Sequence, residues 1–325
     1  MVQRGRSLGG LRRLTFGLTS GLTFVLLSGC GALGGEPGGS SNLPNRGLTP
    51  YAIHREDGAA APVLEPPEGA RLGAPAALVT NEGVELLFEL VRGSTKSVGL
   101  ARSSDGFQFG PITEPAELEG FGDPAVRGSV MGLGLDEDTI QLRVGGLLVA
   151  TIRAEEPFEL GGISAPSIVL AGEEVWVYYA AADVSGRPVA ARARFDGSHR
   201  LIDQIVVLEP RSQCQKPSGS RVPCWDEDGV FGPEVRRATS GAGRTLFRMM
   251  FSGGNGSSRA IGFAASFDGT HFEELPDNPV LDEVELTEAN PSNVRLGDEY
   301  LLYFEHDGKI YVATNQHGQA TEAIE

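Results

Sequence analysis

The sequence predicts an all-β chain: a single five-bladed β-propeller of four-stranded antiparallel blades, set behind a signal peptide and a flexible tether. Three observations carry that expectation. Five short apolar runs open with a proline, at Pro75, Pro124, Pro166, Pro233 and Pro291, spaced 49, 42, 67 and 58 residues apart. Most are followed by a second apolar run rich in aromatics. A third run then leads, in three units, into an Asp-Gly turn. Such a unit cannot bury its own faces and needs neighbours of its kind.

The chain has 325 residues, 45 of them glycine, which suits many short turns. Its first segment is a separate object. Arg4, Arg6, Arg12 and Arg13 precede an uncharged, largely apolar stretch from Leu14 to Leu27, too short to span a bilayer and typical of an export signal. Leu27-Ser28-Gly29-Cys30 resembles the lipobox of bacterial lipoproteins. That resemblance implies cleavage after residue 29, acylation of Cys30 (palmitate among the chains), and an outer-membrane lipoprotein, because Gly31 rather than Asp follows the cysteine. An ordinary signal peptide is the alternative, and Arg12-Arg13 faintly resembles a twin-arginine signal.

Residues 30–69 are rich in Gly, Pro, Ser and Ala and read as a flexible leash. Residues 70–325 hold the blades. Ala74-Pro75, Asp123-Pro124, Ala165-Pro166, Gly232-Pro233 and Asn290-Pro291 open the innermost strands, where a missing N–H costs no ladder bond. Second strands read as Val84–Leu90, Val175–Tyr179, Leu246–Phe251 and Tyr300–Phe304. Third strands are Val98–Ala101, Val189–Ala193, Ile261–Ala265 and Ile310–Ala313. Asp105-Gly106, Asp196-Gly197 and Asp268-Gly269 turn into a fourth, outer strand. Blade two is the weakest unit: Gly128–Leu135 carries three glycines, and Leu147–Ile152 stands as its third strand. A two-domain β-sandwich is the competing fold. No helical period competes with either.

Three cysteines divide between two roles. With Cys30 taking lipid, Cys214 and Cys224 remain in an oxidising compartment and read as a disulfide closing a small loop. Two free thiols or half of a metal site are the alternatives, and no histidine or further cysteine is near enough in sequence to favour zinc. Losing residues 1–29 removes four of 27 basic residues and no acids, leaving 23 against 43 and a formal charge of −20. That surface repels phosphate backbones, which argues against nucleic acid as a partner. The expected partners are a carbohydrate and, through the lipid alone, a membrane; the expected state is a monomer.

The plan x-Pro-Ser-hydrophobic, an aromatic strand, then IGFAASFDGTHF at 261–272 and NPVL at 278–281, resembles the five-bladed propellers of the arabinanase, invertase and levansucrase (family 43-type) superfamily of glycoside hydrolases. In that superfamily the innermost strands begin at an axial funnel. A first-blade carboxylate is nucleophile or base, a second-blade Asp holds substrate, and a third-blade Glu donates the proton. Acid on one side and negative charge on the other suit an oxocarbenium-like transition state. Carried over position by position, Ala74 replaces the first, Asp123 matches the second, and Ile163-Ser164-Ala165-Pro166 offers nothing for the third. In a rotated alignment Asp123 becomes the base, Ala165 the lost middle acid and Glu234 the proton donor.

Candidate catalytic residues are therefore Asp123 and Glu234. Candidate ligand-binding residues are Asp123, Arg127, Asn290, and the loop residues Trp225, Asp226 and Asp228, where an indole face and acids suit sugar stacking and hydroxyl binding. A solvated loop whose Trp225 packs on the neighbouring blade is the alternative. Asp226-Glu227-Asp228-Gly229 begins like a calcium loop but lacks the oxygen series that follows, so no metal ligand is assigned. Glu305-His306-Asp307-Gly308 follows an aromatic strand where a hairpin turn is due and reads as that turn. His199 and His271 flank turns and read as exposed. The leading expectation is a lipid-anchored carbohydrate binder with degenerate catalytic positions. An active glycoside hydrolase and an envelope scaffold for proteins are the alternatives.

Overall fold

A computed structural model describes residues 51–215, 220–239, 243–255, 258–276, 278–283 and 286–315. The signal segment, Cys30 and the first part of the expected tether lie outside the described residues. The described chain forms a five-bladed propeller of small antiparallel sheets. Blade one comprises Ala70–Thr80, Gly83–Arg92 and Thr95–Ser103. Blade two holds Gly122–Arg127, Val130–Asp136, Thr139–Val144 and Leu147–Arg153. Blade three holds Ile163–Ala171, Glu174–Ala182, Pro188–Phe195 and Leu201–Leu208. Blade four holds Gly229–Thr239, Thr245–Asn255, Ser258–Ser266 and Glu273–Glu274. Blade five holds Ala289–Leu296, Glu299–His306 and Lys309–Asn315. Each innermost strand packs on the next, and the fifth packs on the first, so the ring closes.

The aromatic second strands are apolar on both faces because each face meets a different blade. Leu86 and Phe88 pack with Leu301 and Tyr303 of blade five, while Leu87, between them, packs with Leu133 of blade two. Val177 and Tyr179 face blade two, and Tyr178 faces Met249 and Phe251 of blade four. Met250 and Phe263 meet Leu302 and Phe304. Five apolar clusters thus fill the five gaps between blades, and each fully buried aromatic adds roughly 1.5–3 kcal/mol.

The Asp-Gly turns act between blades rather than only within them. Ser103 and Ser266 accept N–H bonds from Gly106 and Gly269, and Asp105 and Asp268 each accept two more from the residues that follow. The carbonyls left outside are claimed by neighbours: Tyr303 donates to Gly106 and Tyr178 to Gly269, at 2.9 and 2.8 Å. Asp196 accepts N–H bonds from Ser198 and Arg200 in the same way, yet of the three Asp-Gly turns only this one, in blade three, leads directly into a full outer strand. Blade one continues through a short 3-10 turn, Ala116–Leu118, with isolated bridges from Leu100 to Thr113 and Ser97 to Glu119. Blade four's outer strand has two residues.

Two further expectations are corrected. In blade two Leu147–Arg153 is the outer strand; Thr139–Val144 is the third, linked by tight hairpins that no Asp-Gly pair marks. The tether does not reach residue 69. Ala52–Ile53 and Pro62–Leu64 pair with Lys309–Asn315, so an N-terminal segment completes the last blade. Ile53 and Leu64 are buried there, which composition rich in small residues conceals.

Candidate functional site

Every innermost strand slips register at its proline: between Gly73 and Ala76, Gly122 and Ala125, Ser164 and Ser167, Phe231 and Glu234, and Ala289 and Ser292. The residue before each proline has positive φ, 43° at Ala74 and Asp123, 48° at Ala165, 50° at Gly232 and Asn290. L residues there cost about 1–2 kcal/mol, least for Asn and Asp, and Gly is free of the cost. That explains the set Ala, Asp, Ala, Gly, Asn. The bulge pushes two residues per blade toward the axis.

Serines stitch the ring beneath these bulges. Ser167 accepts the N–H of Val235 on blade four, and Ser292 accepts that of Ala77 on blade one, both at 2.9 Å. Both serines follow the motif proline by one residue, so x-Pro-Ser places an acceptor on a backbone donor of the next blade.

The five bulges surround an axial pit lined by Ala74, Asp123, Ala165, Gly232 and Asn290, with Glu234 and Arg236 in its wall. Its cavity of about 50 Å³ holds a few water molecules or one arm of a larger ligand. Asp123 is half-buried. Burial, then the charge of Glu89, pushes its carboxyl up to about 6, against the pull of Lys96 and the Ala165 N–H. Asn290 donates to Glu305 at 3.1 Å.

Glu89 and Glu305 are the polar residues that sequence reasoning passed over. Each lies on a second strand and reaches the glycine that precedes the next blade's motif. A Cβ on Gly122 would collide with the Glu89 carboxylate, and one on Gly73 would lie 3.0 Å from Glu305 Oε2. Lys96 pairs with Glu89 at 3.2 Å. A signal was present: Glu89 follows Pro75, and Glu305 follows Pro291, by fourteen residues. Asp307 and Gly308 form the expected turn, but Glu305 stands before it, inside the strand.

Glu234 is bound up differently. Its carboxylate pairs with Arg236 two residues on, and the guanidinium extends across the axis to the Ala77 carbonyl of blade one, at 3.4 Å. Burial raises the Glu234 carboxyl, opposed by Arg236 and then Arg127. Arg127 therefore contributes field to Glu234 rather than a free donor to the pit.

The loop before blade four does not join the pit. Cys214 and Cys224 form the expected disulfide. Trp225 lies on Gly253 and Gly262, where a Cβ would collide with its ring, and against Phe251 at 5.4 Å between centroids. This correction has a simple cause: two glycines on adjacent strands open a slot that indole fills. Asp226 is fully buried and accepts from Arg211, so it presents no carboxylate to a sugar. Asp228 is exposed, its N–H bonded to the Gly254 carbonyl.

No protein-family model and no curated protein sequence matches the chain. Among solved structures it is similar to a thermostable family-43 glycoside hydrolase, at 14% identity over 80% of this chain and 94% of that one, with a TM-score of 0.56. It is similar to the catalytic domain of the Coprinopsis cinerea GH62 alpha-L-arabinofuranosidase, at 8% identity over 82% and 97%, TM-score 0.59. A third is the beta-1,2-mannobiose phosphorylase of Listeria innocua, in complex with beta-1,2-mannobiose, at 13% identity over 81% and 96%, TM-score 0.56. At these identities the likeness is one of fold.

Proposed function

We propose that the axial pit is a carbohydrate-binding site on a lipid-anchored cell-envelope protein, and that it holds sugar without cleaving it. One observation carries this reading: of the five bulge residues facing the axis, only Asp123 and Asn290 are polar, and they flank blade one with Glu89 and Glu305 behind them. A carboxyl and an amide bordering one pit accept and donate to the hydroxyls of a sugar. The narrow cavity suits a hydroxyl-bearing arm or chain end, with the rest of the sugar outside. Structural neighbours that act on glycosides support the ligand class. Arg236 supports binding without turnover, because it engages Glu234, the other carboxyl lining the pit with Asp123.

Calorimetric titration of the purified protein with pentose and hexose oligosaccharides tests this. One of them binds, and Asp123→Ala or Asn290→Ala weakens it about ten- to a hundredfold, the worth of one charge-assisted hydrogen bond. Affinities untouched by either substitution would remove the site. One observation favours turnover instead: Asp123 and Glu234 both border the pit, and both carboxyls are held above the ordinary range. Release of chromophore from a nitrophenyl pentoside, abolished by Asp123→Asn, would establish that reading in place of ours.

The anchor rests on Leu27-Ser28-Gly29-Cys30. Radiolabelled palmitate enters the expressed full chain and not its Cys30→Ser variant; equal labelling of both would refute the anchor.

A further inference from the structure

Away from the pit, two carboxyl groups are buried side by side. Asp226, two residues beyond the disulfide, is fully buried, and the Glu274 side chain, on blade four's outer strand, is 3% exposed. They lie within hydrogen-bond reach of one another. A single cation serves both: Arg211 Nη2 is 2.5 Å from Glu274 Oε2 and 3.4 Å from Asp226 Oδ1. The Arg211 N–H donates to Asp226 Oδ2 at 3.1 Å, and Asn278 Nδ2 donates to Glu274 Oε2 at 3.1 Å. Three of the four carboxyl oxygens therefore have donors. The fourth, Glu274 Oε1, is buried and has none. Two carboxylates beside one guanidinium would leave a net negative charge out of water; one proton on Glu274 Oε1 balances the charge and bridges the pair.

We propose that Asp226 and Glu274 form a proton-operated latch that holds the segment 224–228 against blade four and releases it on deprotonation. Burial, then the charge of Asp226, raises the Glu274 carboxyl to about 7, while Arg211 opposes the rise. The groove outside the latch is bordered by Glu209, His271 and Glu273, and among the described residues no lysine or arginine other than Arg211 lines it. Because the folded value lies above the unfolded one, the latch's contribution is complete below the ordinary carboxylate range and is lost as pH rises through about 7. The segment it holds carries Cys224, which is 1% exposed, and runs directly into Gly229–Thr239, the strand that brings Glu234 to the pit.

Reduction of the Cys214–Cys224 bond reads the latch, since a reductant must wait for the segment to open. The intact protein is treated with a water-soluble phosphine at about pH 5.5 and about pH 8.5, loss of the disulfide is followed by mass, and each rate is divided by that of an exposed reference disulfide in the same buffer. The normalised rate rises about tenfold or more at the higher pH, as one displaced proton requires. In Glu274→Gln, whose amide bridges Asp226 without a titrating proton, the rate stays slow at both. Asp226→Asn, which removes the neighbouring charge and leaves Glu274 with its burial and with Arg211, diminishes the rise without abolishing it. Equal normalised rates for the wild type at the two pH values, or an undiminished rise in either variant, would overturn the latch.

Discussion

Asp123 takes its chemistry from residues on several blades. Its own strand supplies the bulge, blade one supplies Glu89 and Lys96, and blade three supplies the Ala165 N–H. Its carboxyl is raised to about 6, so the folded protein keeps this proton where the unfolded chain has already lost it. Stability from this group is present in full below about pH 4 and falls as pH rises toward 6, with a limiting slope of about 1.4 kcal/mol per pH unit. Asp123→Asn removes that segment, so a plot of unfolding free energy against pH is flatter for the variant between pH 4 and 6. Parallel curves for the two proteins would show that Asp123 does not hold its proton. Asp123 and Asn290 were legible in the sequence because the motif proline marks them. Glu89 and Glu305 were not, because an acid inside an apolar run looks local until its carboxylate is seen against a glycine of the next blade.

Among elements, the strands that the sequence disclosed best are the second ones, buried on both faces. The least visible are the shortest. Ala52–Ile53 and Pro62–Leu64 have no periodicity to detect, yet they cover the edge of Lys309–Asn315. Tyr51 accepts a bond from Asn293 Nδ2 at 2.6 Å, tying the same segment to blade five's inner strand. A chain beginning at residue 70 would expose that edge and lose the burial of Ile53 and Leu64, at least about 3 kcal/mol. Its urea midpoint should fall well below that of a chain beginning at residue 51, and coincident midpoints would mean that the segment is only a tether. The outer strands show the opposite error. Asp-Gly suggests the start of a hairpin, whereas Asp105 and Asp268 use their side chains on their own loops, and Gly106 and Gly269 offer their carbonyls to the blade behind.

In the whole molecule, the repeat determines most of what is seen. Proline at a strand entry, alternating faces and turn residues are properties of a few consecutive residues, so five blades and the residues that open them follow from the sequence alone. Which of those residues meet is a matter of closure. Glu305 and Gly73, or Arg236 and Ala77, stand far apart along the chain and touch only because the fifth blade packs on the first. Burial and charge then act through space, and they divide the acids: Asp123 remains at the pit, Glu234 is engaged by a guanidinium, and Asp226 is buried against Arg211 and Glu274. The sequence by itself determined the blades and their inward-facing positions, whereas the tertiary structure alone decided which polar groups share a site, because dielectric surroundings and neighbouring charges are set by distance in space and not along the chain.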